Sequence, residues 1–178
     1  YFDGALRDVR LYARALPEAE VAAFRGSSPT AVHAQCDGKG PTVTVARLST
    51  GKVIGGYASV PWASSGGYTK APGSFLFSLT NGFRHKLLPN RDSLALDRTP
   101  NLVPLFGGGN DWRLNADMNS GHCDIGHTYA CRVAEEGRPP LYDDNCNSGG
   151  DCACQKDFCG TYDGWTIDEL EMWYESES

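Results

Sequence analysis

Short apolar runs separated by glycine-rich turns constrain this chain more than any other feature. TVTVARL at residues 42–48 and VIGGYASV at residues 53–60 flank Ser49-Thr50-Gly51-Lys52, a good hairpin turn. SFLFSL at residues 74–79 is apolar on both faces, as in a central strand covered on both sides. Glycine clusters recur at Gly66-Gly67, Gly107-Gly108-Gly109 and Gly149-Gly150, and 21 glycines in 178 residues exceed the ordinary share of about 7%. WTIDELEMWY at residues 165–174 supplies a closing strand. These signals disfavour an all-helical fold. They predict a mainly β chain, a twisted two-sheet antiparallel sandwich with a few short helices, one of them PTAVHAQC at Pro29–Cys36.

Composition narrows the function classes. The charged fraction of 21% and apolar fraction of 40% are those of a folded domain with a real core. No apolar run approaches the roughly 18 residues of a membrane span, and no basic stretch leads into an apolar one as in a signal peptide. The chain opens on Tyr1, so it is expected to be a mature product or a piece of a longer protein. Its net charge of −6 is unevenly spread: residues 1–100 hold 12 Lys/Arg against 7 Asp/Glu, and residues 101–178 hold 4 against 15. Nucleic acid is therefore not an expected partner. Seven cysteines beside two methionines is unusual, and an odd count requires at least one thiol that is free or paired outside the chain.

The first two dozen residues read as a strand and then a helix. Ala5, Val9, Leu11 and Ala13 share one face at period two. Leu16-Pro17-Glu18 then opens a helix with proline in its first turn, acids beside the positive end of its dipole, and Val21 and Phe24 as the buried stripe. A lone strand leaves its apolar face and hydrogen-bonding edges without neighbours.

Two family resemblances rest on specific motifs. FDGALRDVRLYARALPEAEV resembles the last strand and trailing segment of a LamG-like, concanavalin-type jelly roll, which implies a boundary near residue 26 with the rest of that jelly roll upstream. From residue 27 onward the chain resembles a TLDc domain. Five ordered runs carry that resemblance: HAQCDGKGPTVTV (33–45), VIGGYASVPWASSGGY (53–68), SFLFSL (74–79), PLFGGGNDWRL (104–114) and WTIDELEMW (165–173). It implies a TLDc-type β-sandwich over residues 27–178 with no established catalytic machinery.

The resemblance also sorts the cysteines. Cys36 sits inside the HAxCD motif and is expected to be a buried free thiol. Cys123, Cys131, Cys146, Cys152, Cys154 and Cys159 fall in a cysteine-rich insertion at residues 121–160, where the chain departs from the family. Six suits three disulfides, with fifteen possible pairings, and predicts an oxidising compartment. Zinc is the rival reading, since GHCDIGHTYAC offers His122, Cys123, Asp124, His127 and Cys131; paired C-x2-C knuckles are missing, and no metal site is assigned. Calcium is an alternative at Asp143, Asn145, Asn147 and Asp151, although Ser148 and Cys154 stand where an EF-hand loop places Gly and Glu.

No catalytic set emerges, and no cofactor beyond that calcium alternative is expected. On a regular strand Glu169 and Glu171 share one face while Asp168 points to the other, among Ile167, Leu170 and Met172. His33, His85, His122 and His127 lack a nucleophile elbow, and an acidic neighbour makes Cys36 a poor redox thiol. Trp62, Trp112, Trp165 and Trp173 suit a sandwich core, with a sugar-stacking platform as the alternative. The expectation is a non-enzymatic extracellular or cell-surface module for adhesion or assembly. Its acidic residues Asp143, Asp144, Asp151, Asp157, Glu169 and Glu171 would dock a basic protein partner, such as a neighbouring copy. The alternatives are a glycan-binding module and an intracellular TLDc protein of the oxidation-resistance or vacuolar proton pump-associated type.

Overall fold

Alternation along TVTVARL sends Thr42, Thr44, Ala46 and Leu48 to one face and Val43, Val45 and Arg47 to the other, and this strand, β1 (Thr42–Leu48), becomes an inner strand of a sheet. The computed structural model describes residues 27–135 and 152–174. The expected jelly-roll strand at residues 1–26 lies outside them. β1 pairs antiparallel with β2 (Val53–Ala58) through the Ser49–Lys52 turn, where Gly51 takes φ +80°, and on its other side with β10 (Ile167–Tyr174). β4 (Phe75–Ser78) and β5 (Phe83–Lys86) complete a five-stranded sheet in the order β10-β1-β2-β4-β5. All four β4 residues are buried, as an apolar run bounded by turns requires.

The second sheet, in the order β3-β6-β7-β8-β9, is built from far shorter strands. They are β3 (Tyr68–Thr69), β6 (Leu96–Asp97), β7 (Leu105–Phe106), β8 (Trp112–Leu114) and β9 (Gly121–His122). Helix α1 (Pro29–Cys36) precedes β1, capped by the Ser28 hydroxyl accepting from the Ala31 amide at 3.2 Å, with proline at its first turn. Two further short helices, α2 (Arg132–Glu135) and α3 (Ala153–Phe158), lie in the cysteine-rich region. The result is a mainly β, two-sheet sandwich with a few short helices.

Phe106 is where the sheets meet. A Cβ on Gly56 of β2 would overlap its ring, so glycine is what allows β7 to approach β2 this closely. Trp62 meets the Phe106 ring edge-on at 5.5 Å, Trp112 stacks on it at 5.8 Å and Tyr129 approaches at 6.3 Å. All four tryptophans are buried, so none of them offers an open face to a sugar; among the described residues Tyr68 is the one exposed large apolar side chain.

The closing strand departs from the regular alternation. Arg47 stands opposite Glu169 and Leu48 opposite Ile167, so Asp168 is the extra residue of a β-bulge. Asp168 is therefore exposed instead of pointing among Leu170 and Met172, and the bulge turns Ile167 onto the core face beside them.

Gly56→Ala is expected to cost about 1–3 kcal/mol by overpacking against Phe106. Urea unfolding should show a lower midpoint at unchanged slope, with partial recovery in Gly56→Ala/Phe106→Leu.

Candidate functional site

The HAxCD motif is a structural knot. Burial pushes the Asp37 carboxyl up, but bonds from His33 Nδ1 (2.7 Å) and Ser64 Oγ (2.7 Å) outweigh it and leave Asp37 below the usual carboxylate range. Ser64 and His33 thus bind opposite oxygens of one carboxylate, and no imidazole stands ready to take the serine proton. The same turn is fixed to the sheet by the Gly38 amide donating to the Trp62 carbonyl and by Trp62 Nε1 donating to Thr42 Oγ1 at 2.9 Å. Cys36 is fully buried and free; burial, then the charge of Asp37, pushes its thiol to about 12, so it has almost no thiolate at neutral pH.

The distinctive chemistry lies at the cysteine-rich corner. Cys123, just past β9, is bonded to Cys159 at the end of α3, with Cα atoms 6.3 Å apart. Cys131 is bonded to Cys154 of α3, with Cα atoms 5.8 Å apart. Cys152 is disulfide-bonded as well. Cys146 lies outside the described residues, as do Asp143, Asp144, Asn145, Asn147 and Asp151. The zinc donor set is dismantled: Cys123 and Cys131 are oxidised, and among the described residues no three His, Cys, Asp or Glu side chains converge to hold an ion.

Polar contacts bind this corner to the first sheet. Arg132 grips Asp157 with two bonds, Nε at 3.0 Å and Nη2 at 2.6 Å. Asp157 is thus committed within the chain and is not the open docking residue expected of it. Asn81 Nδ2 donates to the Asp157 carbonyl at 2.6 Å, and Thr50 Oγ1 to the Cys159 carbonyl at 2.6 Å. His85 of β5 is buried between the Phe83 and Phe158 rings, with Nδ1 at 2.8 Å from the Ala130 carbonyl, an acceptor that makes Nδ1 the protonated nitrogen. Burial lowers the His85 pKa to about 4. Gln155, also buried, donates to Asp124 at 2.9 Å. Burial raises Asp124 and lowers His122 and His127, favouring the uncharged form of each.

Asp111, which the sequence reading passed over, organises the second sheet. Its carboxylate is fully buried beside Gly107 and accepts from the amides of Gly126 (3.1 Å), Thr128 (3.0 Å) and Tyr129 (2.9 Å). Burial pushes its pKa to about 6 against the pull of those amides. The signal was an acid two residues past a glycine run and directly before a tryptophan, in GGGNDWRL. Glu169 and Glu171 lie on the outer face of β10; Glu169 is exposed opposite Arg47 at 3.2 Å, and Glu171 accepts from Trp173 Nε1 at 3.2 Å.

The sequence profile of the TLDc domain matches residues 22–175. The chain belongs to the TLDc domain family. No curated protein matches it. Within this TLDc fold the five motifs fall on the two sheets and the Asp37 knot, and the disulfides fall between the fourth and fifth motifs.

His85 gives the TLDc corner a pH signature. The unfolded chain takes a proton near the ordinary 6.5 and the folded one only near 4, so stability falls as pH drops through that window, by up to about 3 kcal/mol. Asp111, raised above its unfolded value, loses its contribution as pH rises through about 6, so the measurement is a difference. The stability advantage of wild type over His85→Asn should shrink steadily from pH 6.5 to 4. A pH-independent difference would remove this account of His85.

Proposed function

We propose that this TLDc chain is a non-catalytic extracellular interaction module, serving adhesion or assembly in a larger protein in which a LamG-like jelly roll precedes it. The observation that carries the reading is the pair of buried cross-links at one corner, Cys123–Cys159 and Cys131–Cys154. Disulfides that anchor short helices persist in oxidising compartments and are lost in a reducing cytosol, which favours this reading over the intracellular one. The non-catalytic part is supported by the Asp37 knot, where the Ser64 hydroxyl and His33 both bond to the Asp37 carboxylate.

A stiff sandwich with an acidic C-terminal part suits a basic partner, and a neighbouring copy supplies one in its more basic first half. Glu169 and Glu171 on the closing strand belong to the described part of that acidic surface, and the exposed Asp168 of the bulge stands beside them. Self-association should weaken at least about tenfold between about 0.05 M and 0.5 M salt, as exposed charges become screened. Asp168→Lys/Glu169→Lys should weaken it further at low salt. Sedimentation velocity measures both; association indifferent to ionic strength and to the charge reversal would overturn the docking reading.

A further inference from the structure

The end of α3 is held by the first sheet through two side chains. A helix of six residues leaves the carbonyls of its last turn without intrahelical partners. Asn81, in the turn between β4 and β5, donates its side-chain amide to the Asp157 carbonyl at 2.6 Å, and Thr50, in the turn between β1 and β2, donates to the Cys159 carbonyl at 2.6 Å. Asn81 is itself fixed from two other directions. Lys52 Nζ donates to its Oδ1 at 3.4 Å, and its backbone amide donates to Ser78 Oγ at 3.1 Å.

The residue that follows is Gly82, and this is the one Asn-Gly pair in the chain. Gly82 is exposed with φ +64°, has no side chain to screen its nitrogen, and among the described residues nothing accepts from its amide. That nitrogen is therefore open to act as a nucleophile on the side chain of its own neighbour. The Lys52 ammonium already sits on the Asn81 oxygen that gains negative charge in such an attack, as a donor does in an oxyanion hole. The Asp157 carbonyl is the brake, because it holds the amide nitrogen that has to leave.

The geometry points to Asn81 as a site of spontaneous modification that uncaps α3. The Gly82 nitrogen gives its proton to solvent and bonds to Asn81 Cγ; the Cγ–Nδ2 bond breaks, ammonia leaves with a proton taken back from solvent, and a five-membered succinimide closes. Water then opens the ring, at Cγ to give aspartate or at the backbone carbonyl to give isoaspartate, so one water is consumed for one ammonia released. Either product offers only acceptors where α3 needs a donor. It also sets a negative charge against the carbonyl end of the helix, where cations are favoured, and Lys52 draws the new carboxylate away from that end. The lost cap cannot re-form, since nothing restores the amide. The step needs only water and is open to the protein in whichever compartment it occupies.

Peptide mapping by mass spectrometry of the folded, unreduced full chain, held at mildly alkaline pH, tests the site. Asn81 is expected to gain about 1 Da ahead of every other described asparagine, and to do so faster in Thr50→Ala, which loosens the end of α3 without touching Asn81. An intact Asn81, or conversion led by another described asparagine, overturns the proposal, as does ammonia loss that leaves Lys52 joined to Asn81. Equal rates in wild type and Thr50→Ala overturn the role given to α3 as the brake. The consequence is read in Asn81→Asp by hydrogen exchange. Its α3 amides should exchange at least about tenfold faster while β1 and β2 keep their protection. Unchanged α3 exchange overturns the uncapping; if β1 and β2 open as well, the variant has unfolded, and the same measurement on the converted fraction of wild type, separated by ion exchange, decides.

Discussion

The second sheet is made of strands of two and three residues, and the rest of the architecture exists to hold it together. Ladders that short contribute few hydrogen bonds and little cross-strand packing, well under the five or six residues of an ordinary strand. Three devices compensate. Phe106 sits on Gly56 and packs the sheet onto its partner. Asp111 gathers the amides of Gly126, Thr128 and Tyr129 around one carboxylate, doing for residues 126–129 what a ladder does elsewhere. The disulfides then fasten the chain on either side of that segment, at Cys123 and Cys131, to the ends of α3.

That division explains what the sequence made legible. The first sheet follows plain alternation, so β1, β2 and β4 lie where TVTVARL, VIGGYASV and SFLFSL predict, and α1 matches PTAVHAQC from cap to end. The strands of the second sheet, two or three residues each, are too short to repeat a pattern; only the glycines and the TLDc motifs marked their region. Asp168 was placed on the wrong face because a bulge inserts one residue without altering composition, and the period-two rule fails beyond it. Asp157 read as a surface acid because its partner, Arg132, lies 25 residues away in sequence and is brought to it by the fold. His85 was hidden in the same way: its partners Ala130 and Phe158 come from the cysteine-rich corner.

The two kinds of cysteine carry separate messages. Cys36 belongs to the Asp37 knot that ties α1 to the turn after β2; it is buried, protonated and chemically quiet. The cross-linked cysteines belong to an elaboration of the TLDc fold, and their staples, the Arg132–Asp157 pair and His85 all meet around α3. Acid and reductant therefore act on one place, through different groups. That cross-linked corner is the physical basis of the proposal that the chain is a docking module.

Peptide mapping of the unreduced protein isolated from its native source, with free thiols alkylated before digestion, tests this account most directly. The account predicts Cys123 linked to Cys159, Cys131 linked to Cys154, and Cys36 recovered as the free thiol, labelled only after denaturation. Alkylated Cys123, Cys131, Cys154 and Cys159 in the native protein would contradict it.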